Sequence, residues 1–211
     1  MKSLSIALLV TVTALTSACG GDEAPEPSTQ DAASTTPQGV WGRAPAAVDG
    51  IPSVVFLRPS SGEQATPPSD TAVLDQLGLA FLPTQLLVRA GQTIEFVNSE
   101  TLAHNVHVTS VANDSTVYLA DMDPDDHRDL TLDTDGAYDV TCDVHPGMRA
   151  LIYVTSAPYA AFAELDGSYR VPNVPPGSYA AEVWSASPDL RTGRAVQITG
   201  SSTELDLTAT P

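Results

Sequence analysis

Residues 137–154 read AYDVTCDVHPGMRALIYV. Under the two-residue period of a strand, Tyr138, Val140 and Cys142 share one face, while Asp139 and Thr141 share the other. The cysteine therefore points where the apolar residues point, into a core, and it lies at the end of its strand. Pro146 and Gly147 mark a turn, after which Ala150–Thr155 reads as a second strand. A loop this tight brings His145 and Met148 back around the cysteine sulfur.

The same short, alternating pattern extends outward in both directions. Strand-like segments are Ser53–Leu57, Ala72–Asp75, Gln85–Arg89, Thr93–Val97, Asn105–Val108, Thr116–Leu119 and Asp129–Leu132 before it, and Ala160–Glu164, Ser168–Val171, Ser178–Trp184, Ala195–Thr199 and Thr203–Leu207 after it. Turn stretches such as DTDGA, LDGS, VPPGS and SPDLRTG separate them, and no segment holds a helical period. Strands at this spacing predict an all-β chain of sandwiches or barrels.

The N-terminal stretch is of another kind. Residues 1–18, MKSLSIALLVTVTALTSA, have the early lysine, apolar run and small residues of a signal peptide, and the apolar run is too short for a membrane span. The junction LTSACGG resembles a bacterial lipobox, which implies lipidation of Cys19 and attachment to a membrane surface. Residues 20–38 contain no large apolar side chain and read as a tether, residues 19–38 including the cysteine.

Charge and cysteine count narrow the function. The sole lysine is Lys2, so the chain beyond the signal sets eight arginines against 26 Asp and Glu. Such a surface does not suit nucleic acid, which needs clustered positive charge; it is compatible with a basic protein partner, such as a basic cytochrome, and equally with solubility or adaptation to salty surroundings. The chain has two cysteines, and lipid on Cys19 leaves Cys142 with no disulfide partner in an oxidising compartment.

Upstream, residues 104–108 read HNVHV, with His104 at a loop–strand junction. Two imidazoles, a thiolate and a thioether are the donor set of blue-copper electron-transfer sites, trigonal His, His and Cys with a weak axial Met. A buried free thiol with incidental neighbours is the plain alternative, and zinc is disfavoured because methionine is a poor ligand for it. His107 falls on the opposite strand face from His104, and His127 reads as a solvated loop residue. Residues 121–129, DMDPDDHRD, alternate acids like a calcium loop but put Asp126 at the glycine position and Leu132 at the bidentate-acid position, so they read as a solvated acidic loop.

HNVHV and YDVTCDVHPGMRALIYV are similar to the corresponding stretches of amicyanin and its cupredoxin relatives. The resemblance covers residues 70–155 and implies a Greek-key cupredoxin sandwich holding one type-1 copper, with His104, Cys142, His145 and Met148 as ligands. It further implies that Asn105 ties two ligand loops together and that His145, beside Pro146, is the electron port. Asp143 departs from the Thr or Ser found in several relatives, and Ala103 from the proline of amicyanin. Across residues 39–211 the chain resembles bacterial plastocyanin-like proteins labelled methylamine utilization protein, whose C-terminal part is similar to transthyretin-type, carboxypeptidase regulatory-like domains.

The expected organisation is a signal peptide (1–18), a lipidated tether (19–38), an early strand and spacer (39–69), the copper sandwich (70–155) and a small second sandwich (156–211). The last is short for a free-standing domain and would recruit the strand around Val54–Leu57. The expected function is that of a membrane-tethered, monomeric, extracytoplasmic carrier of single electrons between redox proteins. Copper storage or delivery is weaker, since only Met122 and Met148 follow the signal and there are four histidines in all; adhesion through the second sandwich is a further alternative. The four histidines fall short of an oxidase or reductase copper set, and no nucleophile triad is visible.

Overall fold

The computed structural model describes residues 39–208. Its strands are β1 (Gly39–Arg43), β2 (Val54–Pro59), β3 (Ala72–Gln76), β4 (Phe81–Leu82), β5 (Gln85–Arg89), β6 (Thr93–Asn98), β7 (His104–Ser110), β8 (Thr116–Met122), β9 (His127–Thr131), β10 (Gly136–Thr141), β11 (Arg149–Thr155), β12 (Tyr159–Phe162), β13 (Ser168–Pro172), β14 (Gly177–Trp184), β15 (Thr192–Ile198) and β16 (Ser202–Glu204). The one helical element among the described residues is the 3-10 turn Pro188–Leu190, so the chain is all-β.

Two sheets enclose the first core. They have the orders β5-β11-β10-β7-β8 and β4-β3-β6-β9. Leu74, Phe81, Ile94 and Phe96 of the four-stranded sheet pack against Val88, Val106, Val108, Val140 and Ile152 of the five-stranded one. Cys142 and Met148 belong to this core, as the alternation Tyr138, Val140, Cys142 requires.

A second pair of sheets, ordered β12-β2-β14-β15 and β13-β1-β16, encloses another core. Val55, Leu57, Ala181 and Val183 meet Val40, Tyr169 and Val171 there. Strand β2 lies between β12 and β14, with Val55 opposite Ala161 on one side and Val183 on the other.

The two sandwiches share an apolar seam. Val54 and Phe56 of β2 pack with Ala137 of β10, Leu151 and Tyr153 of β11, and Ala157. Both β2 and β11 are thus buried on both faces, which explains why SVVFL and ALIYV are continuous apolar runs. At the edge of the seam Arg58 pairs with Asp135 at 2.7 Å and Glu182 at 3.1 Å.

Two differences from the sequence reading concern short or exposed strands. GVWGR forms β1, whose alternation is hidden by glycines: Gly39 has φ +123°, and a Cβ there would lie 2.3 Å from the carbonyl oxygen of Val171. Close approach of β13 demands the glycine, and β13 is remote in sequence. Most of the acidic segment 121–129 is strand rather than loop, the end of β8 and the start of β9. His127 sits on β9, exposed, with Nδ1 3.0 Å from Oε1 of Glu95.

Candidate metal centre

Three connections at one end of the first sandwich build the site: the β3–β4 turn, the segment from Asn98 to His104, and the β10–β11 loop. The last is closed by its own backbone. The Cys142 amide donates to the Met148 carbonyl at 3.3 Å and the Met148 amide to the His145 carbonyl at 3.4 Å. Gly147 takes φ +101°, a left-handed conformation that makes this turn, and a Cβ would meet no neighbour within 4 Å. The demand at Gly147 is therefore for backbone conformation, not for space.

This closure brings His145 to His104. Their Nδ1 atoms are 2.9 Å apart, and Cys142 Sγ lies 3.9 Å from the first and 4.0 Å from the second. His104 and Cys142 are buried and His145 is half-buried. Met148, 2% exposed, is in the same core as Cys142. Pro146 is exposed beside His145.

The donor set fits one soft or borderline cation. His104 Nε2 lies 2.9 Å from Oε2 of Glu100. That carboxyl is held below its usual range, first by the Leu79 amide and then by His104 itself, so it accepts and Nε2 carries the proton. The lone pair of His104 then sits on Nδ1, directed at His145 and the sulfur. Two ring nitrogens in such contact beside a thiol gain most from a shared metal ion, and a carboxylate behind a ligating histidine is the usual orienting partner.

Surrounding hydrogen bonds fix the loops. Asn98 Nδ2 donates to the carbonyls of Leu102 (2.8 Å) and Met122 (3.1 Å). Gln76 Nε2 reaches across the sandwich to the Asn105 carbonyl at 3.1 Å. Asn105 Oδ1 accepts from the Asp143 amide at 2.7 Å and its Nδ2 donates to Asp143 Oδ2 at 3.1 Å, so Asn105 joins the two ligand segments through Asp143. His107 points away from the cluster. Cys19 lies outside the described residues.

The sequence reading missed Glu100. Its signal is the spacing Glu100–His104, but only the loop conformation turns that spacing into a contact. It also missed an apolar rim: Leu77, Leu79, Leu82, Leu102 and Val144 are 44–55% exposed on or beside these three connections.

Residues 69–155 match the family model of copper binding proteins of the plastocyanin/azurin family. Over 88 residues the chain is 32% identical to plastocyanin from Ulva arasakii, 38% of this chain and 90% of that protein. The chain belongs to the plastocyanin/azurin family. It is also 31% identical over 83 residues to amicyanin from Paracoccus denitrificans, 39% of this chain and 63% of that one, so it spans less than two thirds of that relative. The crystal structure of amicyanin from Paracoccus versutus aligns at 25% identity over 47% of this chain and 97% of that one, with TM-score 0.37. The family match falls on the first sandwich, which carries His104, Cys142, His145 and Met148.

Proposed function

We propose that this protein is a type-1 copper protein that carries single electrons between extracytoplasmic redox partners. The observation that carries the reading is the convergence of His104 Nδ1, His145 Nδ1 and Cys142 Sγ at one largely buried point. Met148, buried in the same loop, would be the weak fourth ligand. Copper bound there would supply one-electron chemistry by alternating between its two common oxidation states.

The chain's own residues serve that chemistry in three ways. The sandwich and the Asn98, Gln76 and Asn105 hydrogen bonds hold the donors fixed, so little rearrangement need accompany a change of charge. Glu100 holds the His104 proton on Nε2 and keeps Nδ1 free. The half-buried ring of His145 would be the electron port, with exposed Val144 and Pro146 beside it in the chain, where a partner could approach without stripping bound water from charged groups. The excess of carboxylates elsewhere suits a basic partner, a cytochrome included.

The reading extends to the rest of the chain. Lipid on Cys19, after removal of residues 1–18, would hold the folded part on an extracytoplasmic membrane face through residues 20–38. No helix among the described residues is long and apolar enough to cross a membrane. Residues 70–155 would be the copper domain. Residues 39–69 and 156–211 would together form a carboxypeptidase regulatory-like sandwich, a reading supported by the placement of β2 between β12 and β14.

The test is titration of the full chain with Cu(II), alongside Cys142→Ser. Intense blue absorption that requires Cys142 is expected. Tight Cu(I) binding without that absorption would favour storage or delivery, and absence of copper binding would sink the proposal.

A further inference from the structure

Asp143 stands where two ligand segments meet, and its bonding goes beyond a simple tie between them. It follows Cys142 in the chain, and its clasp partner Asn105 follows His104, so each member of the clasp is the chain neighbour of a candidate ligand. The second carboxylate oxygen, Oδ1, faces His107 Nδ1 at 3.1 Å. On the far side of that ring, Nε2 faces Thr116 Oγ1 at 2.8 Å. Strand β8, strand β7 and the ligand loop are thus linked in one row: Thr116, His107, Asp143, Asn105.

The chemistry of the row is determined by Asp143. Asp143 is an exposed carboxylate that accepts from Asn105 Nδ2 at 3.1 Å and lies 3.1 Å from His107 Nδ1. An ionised carboxylate cannot donate, so the hydrogen lies on His107 Nδ1. A neutral ring then accepts the Thr116 hydroxyl proton at Nε2. The carboxylate belongs to the residue that follows Cys142 in the chain, and hydrogen bonds to His107 and Asn105 offset part of its charge. With side-chain exposures of 51% for Asp143 and 26% for His107, solvent screens the charge only in part.

We propose that Asp143 and His107 form a hydrogen-bonded pair that sets the reduction potential of the copper site, the carboxylate lowering it and the imidazole moderating that effect. The inference rests on the copper reading given above. A negative charge beside the site favours the more highly charged metal ion, which is the sense of the lowering. Asn has nearly the same shape and removes the charge; its single oxygen keeps one of the two side-chain bonds, to His107 or to Asn105, and the backbone bond from the Asp143 amide to Asn105 Oδ1 still joins the two segments.

The experiment is potentiometry at one fixed pH on the copper-loaded full chain, for the wild type, Asp143→Asn and His107→Phe. Retained blue absorption, a potential raised in Asp143→Asn and a potential lowered in His107→Phe are expected. In the copper-free chain, nitrogen-15 NMR should find the His107 hydrogen on Nδ1. Blue absorption with an unmoved potential in Asp143→Asn, shifts of the same sign in both variants, or a hydrogen on Nε2 of His107 would overturn the pair. A wild type without blue absorption would overturn the copper reading and this inference with it.

Discussion

Glu100 Oε2 and His104 Nε2 lie 2.9 Å apart, four residues from one another in the segment that enters β7. The carboxylate is anchored on its other oxygen by the Leu79 amide at 2.7 Å. The β3–β4 turn therefore acts on the ring of a candidate ligand through a single side chain. Glu100→Ala should lower copper affinity about 10–100-fold, the usual effect of losing the group behind a ligating histidine. Glu100→Gln, which still offers an oxygen, should lose less. Competition titration against a chelator checks this, and equal affinities for the wild type and Glu100→Ala would refute it.

Gly147 separates backbone demand from space. Gly147→Ala should destabilise the chain by about 1–3 kcal/mol, because a side chain is strained at that φ. It should also weaken copper binding by disturbing the His145–Met148 closure. Gly62, at φ +80° and equally open, serves as a control. Gly62→Ala should show a comparable loss of stability with copper binding intact. If the two variants bind copper alike, the loop closure does not position the donors.

Adjacent residues of β11 should respond in opposite fashion. Ile152 is fully buried in the first core. Tyr153, 1% exposed, stacks edge-on with Trp184 at 4.8 Å and Phe162 at 5.7 Å in the seam, and its hydroxyl has no partner among the described residues. Ile152→Ala should cost about 2–5 kcal/mol through loss of transfer free energy and the cavity left behind. Tyr153→Phe should change stability by less than about 1 kcal/mol, because no protein hydrogen bond is lost. Denaturant unfolding decides, and a large loss in Tyr153→Phe would mean that the hydroxyl is bound.

Alkaline pH should unfold the chain by ionising its buried phenols. Burial pushes Tyr153 and Tyr169 above the ordinary tyrosine value of 10.0. The neutral forms are favoured in the folded chain, so the stability they contribute is complete below pH ~10 and is lost as pH rises past it towards the folded values. Melting temperature should therefore decline above pH ~10. Tyr169→Phe should reduce that decline, while losing at all pH values the hydrogen bond to the Leu205 carbonyl at 2.7 Å. A melting temperature flat through this range would contradict the assignment.

What the sequence determined by itself follows from local rules. Alternation in AYDVTC decided that Cys142 faces a core, and Pro146-Gly147 decided that the chain doubles back there. Donor chemistry then singled out His104, His145 and Met148, and the period of two excluded His107 from the cluster. These conclusions need only strand geometry and the chemistry of side chains.

The tertiary structure decided what depends on remote neighbours. GVWGR is a strand because β13 and β16 flank it, and its glycines answer to a carbonyl more than a hundred residues away. The runs SVVFL and ALIYV are apolar on both faces because β2 and β11 face each other across the seam, a pairing that no local period encodes. Glu100 becomes the partner of His104 only through the fold of its loop. Asp143 meets His107, 36 residues away in the chain, only where β7 lies beside β10. Hydrogen bonds between side chains depend on distances of a few ångströms, and those are fixed by packing rather than by sequence spacing.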